Sequence, residues 1–199
     1  MTFPWLELPA SRVDEAARLL LGWRLTANGV TVRLTEVEAY SGLGEDPASH
    51  AHRGVTDRNR VMFGPAGRLY VYQIYGMHFC ANVVCGESGR AAAVLLRAGA
   101  VVDGVETARA RRPAARRDSD LAAGPAKLMQ VLDLNRAAND TSVLGGGPAT
   151  LTPPDQPAGP VSAGPRVGVT SAHDVPWRFW ITGDPTVSAY RRHTPRVRS

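Results

Sequence analysis

The chain has 199 residues, 44% of them apolar, which is enough to bury a core without disulfide or metal staples. No run of 18 apolar residues occurs, because the longest candidate, 91–102, is interrupted by Arg97, and the first twenty residues carry Glu7, Asp14 and Glu15 where a secretory signal needs a basic start and an apolar stretch, so neither a spanning helix nor export is expected. Of 23 basic side chains 22 are arginine, for a net charge of +5, which favours a polyanionic partner because guanidinium forks fit phosphate oxygens, although a GC-rich genome also writes arginine in place of lysine.

In chain order, residues 11–21 predict a helix: Ser11 and Asp14 have capping-box spacing, and Val13, Ala16, Ala17, Leu20 and Leu21 form one stripe that Gly22 ends. Residues 30–40 alternate with period two and predict a strand on which Glu36, Glu38 and Tyr40 share a face. The span 41–68, with five glycines and two prolines, predicts a long loop, a kind of segment that is often functional. Runs at 69–74 and 79–85 predict a hairpin turning through Tyr75, Gly76, Met77 and His78, followed by an apolar strand at 92–98. A helix is expected over 103–112, leading into arginines 109, 111, 112, 116 and 117, and Pro125 opens another through Leu134. Gly and Pro dominate 145–165, an irregular excursion, and short strands at 166–169 and 177–181 follow. Hairpin-connected strands with flanking helices imply one α+β domain over 1–199, with an antiparallel or mixed sheet and a protruding β-hairpin.

Some residues could carry chemistry. Tyr75 at a hairpin tip, in a basic protein, is a candidate wedge for a base stack. Tyr70 reads better as an ordinary strand aromatic. Glu38 and Tyr40 on one strand face would put a carboxylate and a flat ring against one cavity, the minimum equipment for cleaving a glycosidic bond, although an exposed polar strand face gives the same pattern. His50 and His52, near Glu45, Asp46 and Asp57, invite a metal, but neither HExxH nor a thiolate pair accompanies them. Cys80 and Cys85 lack zinc-ribbon spacing and read as buried thiols. Arg97 inside an apolar strand needs a buried partner, for which a structural salt bridge to Glu36 or Glu38 would serve. The arginine cluster at 109–117 reads as a solvated face or as phosphate contacts. Because Lys127 is the only lysine, Schiff-base chemistry has one side-chain candidate besides the terminal amine.

Together these stretches resemble the 3-methyladenine DNA glycosylases of the alkyladenine (methylpurine) type. The matching text is EVEAY at 36–40, ASHAHRG at 48–54, DRNRVMFGPAGRLYVYQIYGMHFCANV at 57–83, AAVLLRA at 92–98, GPAKL at 124–128, RVGV at 166–169 and WRFWITGDPTVS at 177–188, colinear over most of the chain. The resemblance implies a monofunctional enzyme of base excision repair that flips a damaged purine and hydrolyses its N-glycosidic bond. By it, Glu38 is the general base, and Arg97, with a backbone carbonyl at Val167, helps hold the attacking water. Tyr40, His50 and Tyr72 would enclose the flipped base, Ala48 would supply a backbone contact, and Asn82 would disfavour the amino group of undamaged guanine. Tyr75 would fill the gap in the stack, with Thr56, Met77, His78 and Lys127 touching backbone or groove. His78 replaces the tyrosine of vertebrate members, and the Tyr40–His50 loop is one residue longer than theirs. Metal and cofactor are not needed on this reading, the partner is double-stranded DNA with damaged purines, and the protein is expected to act as a cytoplasmic monomer, associated with the nucleoid through DNA and away from membranes. A non-catalytic arginine-rich DNA-binding module and a metal-dependent hydrolase centred on His50 and His52 are the other classes compatible with the residues.

Overall fold

The computed structural model describes residues 3–190 except 7 and 43, and the expected domain span 1–199 runs past them. Its spine is strand β2 (Val30–Tyr40), formed where valine, leucine and threonine alternate as expected. Strand β5 (Ala93–Asp103) runs antiparallel along one edge of β2. The other edge is shared: β1 (Arg24–Ala27) pairs with residues 30–33 and β8 (Arg178–Ile181) with residues 36–38. β3 (Leu69–Ile74) and β4 (His78–Val84) continue outward from β5 as a hairpin, β6 (Ala149–Thr152) lies beyond β1, and β7 (Val161–Gly164) pairs with β8. Every one of these pairings is antiparallel, so the α+β expectation holds with an antiparallel sheet.

Helix α1 (Val13–Leu20) buries Val13, Ala16, Ala17 and Leu20, the i, i+3, i+4, i+7 stripe of a helix with one wet face. The expected capping box does not form. Ser11 is taken up in a 3-10 turn over Ala10–Arg12, and Arg12 becomes the cap residue without a side-chain hydrogen bond. Asn28 and Gly29 close β1 onto β2 with φ of 48° and 77°, the doubly left-handed turn that suits the strand twist. The strand predicted at 92–98 continues to Asp103, so α2 is confined to Val105–Arg111. α3 (Pro125–Val131) stops short of Leu134 because Asp133 turns to a φ of 49°. Two further predictions are overturned. The Gly- and Pro-rich 145–165 stretch contains β6 and β7, and residues 166–169 are not a strand: Gly168 has a φ of 71° and the Arg166 side chain is drawn inward.

The main core fills the space between this sheet and the helices, with Trp5, Leu20, Leu25, Leu34, Leu96, Leu128 and Phe179 all buried. A smaller cluster of Ala51, Val61, Met62, Tyr70, Val84, Ala91 and Ala93 packs the 41–68 loop onto the sheet beside Tyr40 and Tyr72. Among its described residues that loop carries only one short 3-10 helix, Arg60–Phe63, yet its apolar side chains anchor it.

Candidate active site

The sheet face beside the smaller cluster opens into a cavity of about 380 Å³. β2 contributes Glu38 and Tyr40, β3 Tyr70 and Tyr72, β4 Cys80 and Asn82, and β5 Leu95 and Arg97; the 41–68 loop closes one side with Ala48, His50, Arg58 and Met62, and residues 167–170 close another. Thus Glu38, Arg97, Tyr40, Ala48, His50, Tyr72, Asn82 and Val167, brought forward from separate parts of the sequence, meet at one cavity.

Arg97 reaches it through a β-bulge. Val37 pairs with Leu96 and Glu36 with Ala98, which leaves Arg97 as the extra residue between them. Such a bulge re-aims a side chain, here toward the carboxylates of β2. Arg97 Nε lies 3.0 Å from Glu36 Oε1 and 3.5 Å from Glu38 Oε1, and both glutamate side chains are fully buried. Burial pulls the Arg97 pKa down, but the Glu38 and Glu36 charges more than offset it and the guanidinium is held as a cation. Glu36 is further anchored by Arg178 Nε and by both the amide and the hydroxyl of Ser188, at 2.7 and 3.0 Å. Arg97 thus makes the expected salt bridge to Glu36 and also lies beside Glu38.

Glu38 is gripped from two sides. The Tyr40 hydroxyl donates to Oε2 at 2.8 Å, and the Val167 amide donates to Oε1 at 2.7 Å, so the contact made by Val167 to Glu38 is through its N–H. Burial, then the adjacent Glu38 charge, pushes the Tyr40 phenol well above its ordinary range and keeps it a hydrogen-bond donor. Tyr70 and Tyr72 project to one side of β3 with ring centroids 5.5 Å apart, and His50 meets both edge-on. His50 Nδ1 is 3.0 Å from the Tyr70 hydroxyl, so Tyr70, expected only as a strand aromatic, also orients a cavity residue. Burial, then the Arg58 charge, lowers the His50 pKa, which favours the neutral ring. The Asn82 amide nitrogen donates to the Tyr70 carbonyl at 3.2 Å. The thiols are buried as expected, and burial raises the Cys85 pKa to about 12.

The hairpin tip stands apart from the cavity wall. Tyr75 is 85% exposed and adopts a φ of 53°, a left-handed conformation that is unusual for a bulky side chain. Met77 and His78 beside it are exposed, as is Thr56, and Lys127 is half-buried on α3. None of these four lines the cavity. His52 lies in a neighbouring depression with Arg53, Thr56 and Thr170. Of the carboxylates that suggested a metal, Asp46 forks onto Arg166 at 2.6 and 2.8 Å and Glu45 pairs with Arg90. Among the described residues, no group of three or more His, Cys, Asp or Glu side chains is disposed to hold a metal.

Two arginines were missed by sequence reasoning. Arg166 is fully buried and its guanidinium sits 4.7 Å from the Tyr40 ring centroid, supporting that ring from behind while it donates to the Ala39 carbonyl. Arg58 lines the cavity with its guanidinium 5.7 Å from the Tyr72 centroid. In the sequence both look like ordinary solvated charges; only the fold gives them aromatic neighbours.

The family model for methylpurine-DNA glycosylase matches residues 7–185. A protein of Streptomyces avermitilis is 55% identical over 194 residues, covering 93% of this chain and 88% of its own length. One of Nocardia farcinica is 54% identical, with 92% and 88% covered, and one of Rhodococcus jostii 50% identical, with 93% and 84% covered. All three carry the provisional name 3-methyladenine DNA glycosylase. The match spans the strands, the loop and the helix that wall the cavity, and the chain belongs to the methylpurine-DNA glycosylase family.

Proposed function

We propose that the protein extracts a damaged purine nucleotide from duplex DNA and hydrolyses its N-glycosidic bond, leaving an abasic site in an unbroken strand. The observation that carries this reading is a fully buried carboxylate, Glu38, lining an aromatic-walled cavity beside a cationic partner. As the bond breaks, the sugar gains positive charge. Glu38 stabilises that charge and takes the proton of the attacking water. A carboxylate has about four lone-pair directions; Tyr40 and the Val167 amide fill one each and Arg97 approaches another, which leaves room for water. The bond forms between water oxygen and the sugar, the glycosidic electron pair leaves with the base, and the water proton goes to Glu38. Water, a base and an electrostatic partner suffice, so the reading names no cofactor.

Tyr40, His50 and Tyr72 enclose the base and the Ala48 backbone contacts it, while Asn82 opposes the amino group of guanine. Extracting a nucleotide costs a few kcal/mol, less at a damaged pair, and stacking on Tyr40 and Tyr72 offsets part of it. Tyr75 fills the vacated stack, with Met77, His78, Thr56 and Lys127 against groove or backbone. The protein works as a monomeric single domain on nucleoid DNA; among the described residues no helix is long and apolar enough to cross a membrane.

The test is single-turnover excision from duplexes carrying hypoxanthine, ethenoadenine or an alkylated purine, with chelator present. Free base released from a strand that breaks only in alkali is the expected result. Tight lesion binding with no release from any of the three would instead make the chain a recognition module.

A further inference from the structure

We infer that Arg58 reads the charge of the base in the cavity, favouring neutral damaged purines over cationic alkylated ones. The inference rests on the proposed glycosylase reading and adds the discrimination within it.

Arg58 comes from the 41–68 loop, its residue surface is exposed, and its side chain still reaches the cavity lining. Its guanidinium lies over the Tyr72 ring at 5.7 Å, the ring proposed to stack on the base. Among the described residues it has no carboxylate within ion-pair distance, unlike Arg166, which is forked by Asp46, and Arg97, which is paired with Glu36. Its charge reaches two cavity groups: it adds to burial in lowering the His50 pKa, and at Tyr70 it opposes the rise that burial causes. The side of the cavity formed by His50, Tyr70 and Tyr72 therefore carries one uncompensated positive charge, while Glu38, the only carboxylate among the described lining residues, lies on β2 beside Arg97.

The consequence differs with the charge of the lesion. A neutral purine such as hypoxanthine presents ring nitrogen and carbonyl acceptors to the guanidinium donors, and it leaves with the glycosidic electron pair, so a nearby cation stabilises the departing group. A purine alkylated at N3 or N7 enters already positive and leaves neutral. For it the same cation opposes binding, while relief of that repulsion speeds departure of the bound base as much as the cation speeds that of a neutral one. The discrimination therefore lies in binding, and it moves the neutral-to-cationic ratio of affinities and of release rates at subsaturating protein. For unit charges about 7 Å apart at an effective dielectric of about 40, the interaction corresponds to roughly a 5–10-fold change in that ratio.

The experiment compares wild type, Arg58→Gln and Arg58→Lys on duplexes containing hypoxanthine and on duplexes containing 7-methylguanine. It reads single-turnover release at subsaturating protein and, in a Glu38→Gln background, lesion affinity. Arg58→Gln is expected to lower the hypoxanthine-to-methylguanine ratio about 5–10-fold, and Arg58→Lys, which keeps the charge, to restore most of it. A merely structural role for Arg58 would slow both substrates alike. Equal effects on both lesions, in turnover and in affinity, overturn the inference. Absence of release from either duplex by the wild type overturns the glycosylase reading, and the affinity ratio still decides the role of Arg58.

Discussion

Asp46→Asn is the sharpest probe of how the cavity is held open. Asp46 receives both guanidinium nitrogens of Arg166, at 2.6 and 2.8 Å, and also the amides of Ala48 and Ser41 at 3.1 and 3.3 Å. The two side chains are 0% and 1% exposed. Neutralising the carboxylate leaves Arg166 buried with the Ala39 carbonyl, at 2.9 Å, and one amide oxygen as its acceptors. Removing one partner of a buried ion pair costs about 3–5 kcal/mol, and the retained oxygen argues for the lower end, about 3 kcal/mol. In a chain of this size that lowers Tm by about 6–12 °C. The double variant Asp46→Asn/Arg166→Met removes the stranded cation and should recover at least half of the loss, a non-additivity that identifies the pair. Urea unfolding followed by tryptophan fluorescence measures both. A single variant that costs under about 1 kcal/mol, or a double variant no better than the single one, would refute the argument that this pair fastens the loop bearing Ala48 and His50.

Glu38→Gln keeps the shape of the site and removes the proposed base, so excision should fall by about 10² or more while lesion affinity survives, as read by single-turnover release beside fluorescence anisotropy; near wild-type release would remove Glu38 from the chemistry. Tyr75→Ala should weaken base extraction, seen as reduced fluorescence of a reporter base at the lesion, with the fold unchanged because Tyr75 is 85% exposed. Unchanged fluorescence would move the wedge elsewhere. Burial and Arg58 hold the folded His50 pKa below its ordinary 6.5, so the unfolded chain takes up a proton that the folded one resists. The corresponding stability is intact above pH 6.5 and falls as pH drops through that value toward the folded pKa. Urea unfolding between pH 8 and pH 5 should lose this part of the slope in His50→Asn; identical slopes would contradict it.

Where local pattern and tertiary environment agreed, the sequence was legible. β2 and β3 fall on the residues expected because alternating β-branched and aromatic side chains suit a half-buried pleat whatever lies beyond. The four-residue β1 went unnoticed although Asn28–Gly29 signals a tight hairpin, since Arg24–Ala27 has too few alternations to stand out. β6 and β7 are also four residues each, set among glycines and prolines, and exist through pairing with β1 and β8. The opposite error occurred at 166–169, where apolar alternation suggested a strand but the Arg166–Asp46 pair and the Gly168 turn dictate the path. Glu38, Tyr40 and Arg97 were found through strand alternation and the need of a buried charge for a partner. Arg58 and Arg166 were not, because nothing local distinguishes a solvated arginine from one with an aromatic ring waiting for it.

The anchoring of Glu36 bears on when the protein becomes competent during its synthesis. The carboxylate next to the cavity arginine takes two of its hydrogen bonds from Ser188, 152 residues downstream. Until a ribosome has made that serine, Glu36 lacks two of its interior hydrogen bonds, so the counter-charge that orients Arg97 is less firmly held. A nascent chain can assemble most of the sheet and still lack a finished site. The arrangement makes the finished site a late property of the polypeptide, completed when its distant segment docks on Glu36.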